Sequence, residues 1–168
     1  MSAIAKGLGV DQIYALLDDQ GYANFLVEIG GEVRVKGDKD GLGWKIAVEK
    51  PIKGDRAVEQ VLSLKNVALA TSGDYRNYRE IDGVAYSHTI DPSTGRPVTH
   101  QLASVTVADS ECAMADGWAT ALLVLGPDKG YELAVSRKIP AMFIERSGDT
   151  FIVKQTPRFE RLLAGEVE

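Results

Sequence analysis

The chain has 168 residues and a composition that is 45% hydrophobic and 26% charged, which suits one soluble globular domain with an ordinary core. Its formal net charge is −5, and the absence of a basic stripe argues against a nucleic-acid partner. No apolar run approaches the ~20 residues that a membrane-spanning helix needs.

The N-terminal segment predicts one amphipathic helix with a late start. Gly7 and Gly9 punctuate the stretch before Val10, and helical spacing of apolar residues begins only there. We therefore predict a helix over residues 10–20 that ends near Gly21. Lys6 precedes this helix, and a lysine in such a place is usually solvated. The periodic apolar residues are Val10, Ile13, Leu16 and Leu17.

Five short segments of β-type residues follow, and turn-forming residues separate them. Gly30-Gly31 divides the first two, and Pro51 stops the third. The segment over residues 57–63 alternates in polarity and also fits a short helix, but we favour a strand. The predicted strands cover residues 25–29, 33–36, 44–48, 57–63 and 67–71.

A hairpin signal leads into the middle of the chain. Asp82-Gly83 lies between two short runs of β-type residues, and such a pair predicts a two-residue β-hairpin turn. The hairpin delivers Ser87 and His88 into the loop that follows. We therefore expect that loop to rest on a rigid support.

That loop, residues 87–98, concentrates polar side chains between two prolines. Pro92 and Pro97 each fix a φ angle, and Gly95 permits a positive one. The same residues also suit an ordinary connection with well-formed turns, so the local sequence leaves a functional loop and a structural one equally open. The loop residues suited to chemistry are His88, Asp91 and Arg96.

The C-terminal third predicts a strand, two helices, a hairpin and a short terminal helix. Residues 102–108 alternate in polarity, Asp109-Ser110 offers an N-cap, and a helix is expected from there to about Leu125. Gly126-Pro127 stops that helix. The remaining elements are a helix over 127–137, strands over 141–145 and 150–155, and a helix over 159–163. Together they predict an α+β fold with helices packed on a mixed, largely antiparallel sheet.

Asp116 and Thr120 lie four residues apart on the predicted helix, so their side chains share one face. An anionic and a neutral oxygen suit part of an octahedral Mg²⁺ site that is completed by water and phosphate. On spacing alone, a solvated aspartate and a packed threonine explain the pair better.

Five blocks of the chain resemble, in order, the FAD:protein FMN transferase family, the ApbE-type flavin transferases. The most specific are the His-x-x-Asp-Pro-x-Thr-Gly-x-Pro block at His88 and the Ala-Asp-x-x-Ala-Thr block at Ala115. The others are Ala3 to Gly7 with Asp11, Gly30-Gly31-Glu32, and Ala70 to Tyr78. The resemblance implies a Mg²⁺ site formed by Asp116, Thr120 and a backbone carbonyl near Ala3. The implied FAD-binding residues are Lys6, Asp11, Gly31, Glu32, Ser72, Gly73, Tyr75, His88 and Ile90.

The reaction that the resemblance implies moves FMN from FAD to a Thr or Ser hydroxyl of a target protein, with AMP as the leaving group. A hydroxyl needs a base, and histidine titrates near neutrality, so His88 is the predicted base. Asp91 is predicted to orient His88 or its loop, and His100 is predicted to be a surface residue. Two alternatives stay open, an FAD pyrophosphatase that releases FMN and AMP and a truncated, non-catalytic flavin-binding or assembly module.

The resemblance also sets expectations for the whole chain. Members of the family usually carry a long segment before the Ala-Lys-Gly block. We therefore expect residues 1–168 to form a single, partial domain that needs that segment or self-association for stability. The implied partners are FAD and an acceptor flavoprotein of a bacterial redox complex, and the implied location is the periplasm or the membrane surface.

Overall fold

The structure is a computed structural model that describes residues 2–52, 57–73, 78–81, 84–87 and 89–165. Its helices are α1 (Ser2–Asp19), α2 (Cys112–Leu125), α3 (Pro127–Ser136) and α4 (Pro157–Leu163). Its strands are β1 (Phe25–Ile29), β2 (Glu32–Lys36), β3 (Trp44–Glu49), β4 (Val58–Leu64), β5 (Val67–Gly73), β6 (Tyr78–Ile81), β7 (Val84–Ser87), β8 (Ile90–Asp91), β9 (Arg96–Pro97), β10 (Leu102–Asp109), β11 (Ala141–Ser147) and β12 (Thr150–Gln155).

Six of the described strands form a central sheet in the order β1-β2-β5-β10-β11-β12, and every neighbouring pair is antiparallel. One face packs against α1, α2 and α3 through two apolar clusters, and the other face packs against the β3–β4 hairpin and α4. The predicted α+β class with a largely antiparallel sheet is confirmed.

The first helix begins earlier than predicted, at Ser2 instead of near residue 10. The glycines that suggested a late start of the helix have a different role, which Gly7 illustrates. A Cβ atom at Gly7 would lie only 2.4 Å from the carbonyl oxygen of Cys112, so the glycine lets α1 approach the backbone of α2. The cost of glycine inside a helix, about 1 kcal/mol relative to alanine, is offset by this close packing.

The central strand β10 is buried on both faces. Residues 102–108 are all buried, because α2 covers one side of the sheet and the hairpin and α4 cover the other. Of the polar residues in its alternating pattern, Thr106 pairs inside the protein, with its hydroxyl 2.8 Å from that of Thr71, whereas the buried Ser104 hydroxyl has no partner among the described residues. Alternation predicted the strand correctly, but it did not mark a solvated face.

The remaining hairpins match the predicted pattern. The ambiguous segment is a strand, because β4 pairs with β3. Strands β6 and β7 pair so that Ile81 faces Val84, while the predicted turn residues themselves lie outside the described residues. None of the described helices combines the length and apolar character needed to cross a bilayer.

Candidate functional site

A cavity of about 1100 Å³ opens at one end of the central sheet. The space arises because β5 outruns its neighbour, since residues 67–69 pair with β2 whereas residues 68–73 pair with β10. The walls come from α1, the Gly30-Gly31 turn, β3, the end of β5, the Thr89-Ile90 segment and α2. Segments that are far apart in sequence therefore meet around one space.

Most of the predicted site residues that the structure describes line this cavity. Glu32 is not a lining residue, but it accepts a hydrogen bond from Lys6, which is one. Asp11 and Asp91 are not among the lining residues. His88 and Tyr75 lie outside the described residues, so their predicted roles stay predictions. The predicted residues in the lining are Ala3, Lys6, Gly31, Ser72, Gly73, Ile90, Asp116 and Thr120.

Asp116 is buried at the cavity wall, with 3% of its surface exposed. Its Oδ2 atom accepts a hydrogen bond from the Gly7 backbone N–H at 3.0 Å. Burial raises the pKa of Asp116, and the Gly7 N–H and the charge of Lys6 oppose that rise. The helical partner of the Gly7 N–H is the carbonyl four residues earlier, which belongs to Ala3. Asp116 therefore shares the donor that would normally bond the Ala3 carbonyl.

Thr120 follows Asp116 by one helical turn and lies across from the end of β5. Its Oγ1 atom is 2.9 Å from the Ser72 Oγ atom, and either hydroxyl can donate. This contact ties α2 to β5 where the cavity opens. It also places a neutral oxygen on the same helical face as the Asp116 carboxylate, as the spacing of the two residues predicted.

Lys6 and Glu32 form an ion pair at the same end of the cavity. Lys6 Nζ donates to Glu32 Oε1 at 2.6 Å. The Glu32 side chain is 1% exposed, and its Oε2 atom is buried with no hydrogen-bond partner among the described residues. Burial raises the pKa of Glu32, and the nearby Lys6 ammonium opposes the rise. A buried carboxylate with an unused oxygen is costly, so a ligand donor or cation near it would be stabilised.

Asp11 has a structural duty that the sequence did not reveal. Its carboxylate accepts hydrogen bonds from the backbone N–H groups of Cys112 and Ala113 at 3.0 and 2.9 Å, and it pairs with Arg34 at 2.6 Å. Glu111 occupies the N-cap position of α2 without a side-chain capping bond to a described residue. Asp11 therefore caps α2 from another element. Among the described residues, the predicted local cap, Asp109, accepts from the Glu111 N–H and the Ser110 hydroxyl.

Asp91 organises its own loop. Its Oδ1 atom accepts from the backbone N–H and the hydroxyl of Ser93, both at 2.8 Å, and these two donors hold the pKa of Asp91 below its usual value. The Gly95 N–H donates to the Asp91 carbonyl at 2.8 Å, and Gly95 takes a φ of 67°. The predicted role of Asp91 in orienting its loop fits these bonds.

The prediction that His100 is a surface residue is wrong. Both nitrogens of its ring are buried, and neither has a hydrogen-bond partner among the described residues. The ring packs on Gly126, where an added Cβ atom would lie 2.9 Å from His100 Cδ2. The helix stop at Gly126-Pro127 brings the backbone close to the ring, and no local motif signals that contact.

The β3 wall is the part of the site that sequence reasoning missed. Residues 45–49 all border the cavity. They predicted a strand and nothing more, because their place beside the cavity follows from the packing of the β3–β4 hairpin on the central sheet. A sequence motif could not have marked them.

The oxygen atoms at this end of the cavity suit a hard divalent cation. Asp116 supplies an anionic oxygen, and Thr120 and the Ala3 carbonyl supply neutral ones. Such partial oxygen sets are completed by water and by substrate phosphates when the ion is Mg²⁺. Among the described residues, no cluster of three or more His, Cys, Asp or Glu side chains is arranged to hold a metal. The three residues that the resemblance named for Mg²⁺ fit that ion by chemical type, because each offers an oxygen ligand.

Comparison with known proteins gives matches along nearly the whole chain. A sequence profile of the ApbE family matches residues 1–143. The FAD:protein FMN transferase of Vibrio cholerae is 47% identical over 165 residues, which cover 98% of this chain and 49% of that protein. The protein of the same name from Escherichia coli is 38% identical over 167 residues, which cover 99% and 48%.

Solved structures agree with these sequence matches. The apo form of the Pseudomonas stutzeri flavinyl transferase ApbE superposes with a TM-score of 0.85 at 43% identity, covering 99% of this chain and 51% of that one. An ApbE protein from Thermotoga maritima gives 0.84 at 31% identity, covering 96% and 52%. The chain spans about half the length of the curated relatives it matches.

Proposed function

The chain belongs to the ApbE family, and from this premise we propose that it carries out Mg²⁺-dependent transfer of FMN from FAD to a Thr or Ser hydroxyl of a target flavoprotein, with AMP as the leaving group. The names of the relatives support flavin transfer. The observation that carries the proposal is the meeting of Lys6, Asp116 and Thr120 from two helices at one end of one cavity.

The metal would be held by the Asp116 carboxylate, the Thr120 hydroxyl and the Ala3 carbonyl. When bound, Mg²⁺ neutralises charge on a diphosphate and favours displacement at phosphorus. Lys6 would add a second positive charge on the same side of the cavity. Its ammonium group has three donors, and one of them serves Glu32, so the others are available to phosphate oxygens.

The acceptor hydroxyl needs a base before it can attack phosphorus. We assign that role to His88, whose imidazole titrates near neutrality. Thr89 and Ile90, the next two residues in the sequence, border the cavity, which supports the assignment. The proton of the acceptor hydroxyl would pass to the His88 imidazole as the new bond to phosphorus forms and the bond to the AMP phosphate breaks.

The acceptor would be a flavoprotein of a bacterial redox complex, and the reaction would take place in the periplasm or at the membrane surface. Both assignments rest on the family. The name FAD:protein FMN transferase gives the relatives a protein acceptor, and the redox complex and the location are proposed from the family resemblance alone. The acceptor must present a Thr or Ser side chain that can reach the cavity.

The test is an incubation of the chain with FAD, MgCl₂ and a purified acceptor flavoprotein, followed by intact-mass measurement of the acceptor. We expect a mass gain of one FMN group and one AMP released per modified acceptor, with neither seen in EDTA. Free FMN and AMP with an unmodified acceptor would instead indicate a pyrophosphatase. Bound flavin without AMP release would indicate a binding or assembly module.

A further inference from the structure

Three charged side chains from three elements meet beside the cavity: Lys6 of α1, Glu32 of β2 and Asp116 of α2. Both carboxylates are almost fully buried, with 1% of Glu32 and 3% of Asp116 exposed. The ammonium group of Lys6 is bonded to Glu32 at 2.6 Å. The positive charge of Lys6 opposes the upward pKa shift of both carboxyl groups, so Lys6 lies within electrostatic range of each.

The backbone holds Lys6 in reach of both carboxylates. The N–H of Gly7, the next residue, donates to Asp116 Oδ2 at 3.0 Å, so the Lys6 side chain starts beside Asp116. Its stem passes Gly30, where an added Cβ atom would lie 3.3 Å from Lys6 Cδ. The Gly30-Gly31 turn thus leaves room for the stem to reach Glu32, which directly follows this turn.

We propose that Glu32 is a positioning residue that draws the Lys6 ammonium away from Asp116, so that the Asp116 carboxylate is open to a divalent cation. The inference rests on the proposed function, because it assumes that Asp116 binds Mg²⁺. The inference goes beyond the proposed function because it gives the Lys6–Glu32 pair a role in metal binding as well as in FAD binding.

The physical argument is a competition between two cations for one carboxylate. A lysine whose partner is removed turns to the nearest remaining anion, and a flexible four-carbon stem makes that change easy. In this chain Asp116 is the buried carboxylate beside Lys6, since it accepts from the N–H of the next residue. An ammonium bonded to Asp116 occupies its oxygens and repels a second cation, so Mg²⁺ must displace it. Glu32 prevents this competition without being a metal ligand itself.

The experiment measures Mg²⁺ affinity by isothermal titration calorimetry, without FAD, on the 168-residue chain. We expect Glu32→Gln to weaken Mg²⁺ binding about tenfold, and the double variant Lys6→Met/Glu32→Gln to recover to within about threefold of the wild type. Residues in direct contact commonly show coupling of this size. A role of Glu32 in stability alone predicts no recovery when Lys6 is removed.

Glu28 provides the matched control. It is an exposed carboxylate on β1 that borders the same cavity. Glu28→Gln removes the same charge from the same space but leaves the Lys6–Glu32 pair in place. We expect it to change Mg²⁺ affinity by less than about threefold, and Lys6→Met to produce no extra recovery in that background.

Thermal melts of every variant check the fold. If Glu32→Gln does not fold, Glu32→Asp replaces it, because Asp keeps the charge but withdraws the carboxylate from Lys6. Wild-type affinity in the folded Glu32 variant would overturn the inference, and so would a double variant as weak as the single one. A wild-type chain that binds no Mg²⁺ would instead overturn the metal site of the proposed function, and the inference with it.

Discussion

At the scale of single residues, Asp116 is both a buried carboxylate and a proposed metal ligand. Burial raises its pKa above the usual 3.8. The folded chain therefore keeps this proton at pH values where the unfolded chain has lost it. The contribution of this carboxyl to the free energy of unfolding decreases as pH rises from the unfolded-state pKa through the folded-state pKa.

This shift predicts how an Asp116→Asn variant compares with the wild type in EDTA. As pH rises above the usual pKa of 3.8, the melting temperature of the wild type should fall relative to that of the variant, because Asn carries no proton to lose. Asp38 is the control, because its pKa is shifted in the opposite direction: hydrogen bonds from Lys65 and the Gly41 N–H lower it. The melting temperature of the wild type should rise relative to that of Asp38→Asn as pH rises. Parallel pH profiles for the wild type and Asp116→Asn would contradict the buried-carboxylate description.

Asp11 supports a prediction that separates a structural role from a flavin-binding one. Asp11→Ala removes the acceptor for two N–H groups of α2, so we expect a loss of about 1–2 kcal/mol in the free energy of unfolding. The loss should be smaller for Asp109→Ala, which frees a single backbone N–H. Denaturant melts measure both, and a parallel FAD titration of Asp11→Ala should show little change. Weakened FAD binding with unchanged stability would return Asp11 to the flavin site.

At the scale of elements, the contact between α1 and α2 builds the end of the cavity where Lys6 and Asp116 lie. It places Gly7 against the backbone of Cys112 and lets the Gly7 N–H reach Asp116. A glycine inside a helix is normally unfavourable. Here the missing side chain is what allows the two helices to bring Gly7 and Asp116 together.

Two glycines of α1 give a matched pair of substitutions. Gly7→Ala would place its Cβ 2.4 Å from the Cys112 carbonyl oxygen, so we expect a net loss of about 1–3 kcal/mol from overpacking. Gly9→Ala meets only the end of the Ile29 side chain, at 3.1 Å. It should be neutral or stabilise by up to about 1 kcal/mol through helix propensity. Equal stabilities of the two variants in urea unfolding would contradict the close-contact explanation.

Elements set by local sequence patterns were predicted correctly, whereas features set by contacts between distant parts of the sequence were not. Strand β4 and the β6–β7 hairpin were predicted because alternation and turn signals are local. The start of α1 and the cap of α2 were not, since Gly7 and Asp11 act across about 100 residues of sequence, as the separations of their bonds show. Asp116, Thr120 and Ala3 were named as site residues because of a resemblance to a family. Their spacing alone carried little information, and only the fold explains why they meet.

At the scale of the whole molecule, α1 leaves several large apolar side chains partly exposed. Its residues Ile4, Leu8, Ile13 and Leu16 are 44–53% exposed. Exposed apolar side chains favour association when they lie together on a surface. The full-length relatives are about twice as long as this chain, so they have additional chain that this structure does not contain.

We therefore expect the isolated chain to self-associate through α1. The sequence led to the same expectation, since a partial domain would need a further segment or self-association for stability. Sedimentation velocity over a range of concentrations should show species larger than a monomer, and Leu8→Lys combined with Leu16→Glu should shift them toward the monomer. Val61, 58% exposed on β4, gives the control, because Val61→Lys should leave the distribution unchanged. A wild-type chain that stays monomeric at all concentrations would refute this expectation.

The central claim, that the cavity beside Asp116 and Thr120 cleaves FAD with the help of Mg²⁺, is tested most directly by AMP release. AMP formed from FAD in the presence of an acceptor flavoprotein is followed by chromatography as Mg²⁺ is raised, for the wild type, Asp116→Asn, Thr120→Val and the double variant. We expect Asp116→Asn to need more Mg²⁺ and to recover partly at high concentration. Thr120→Val should show a milder form of the same shift, and the double variant should be non-additive because both oxygens serve one ion. If Asp116→Asn released AMP with the Mg²⁺ dependence of the wild type while remaining folded, the metal site, and with it the proposed phosphoryl transfer, would be contradicted.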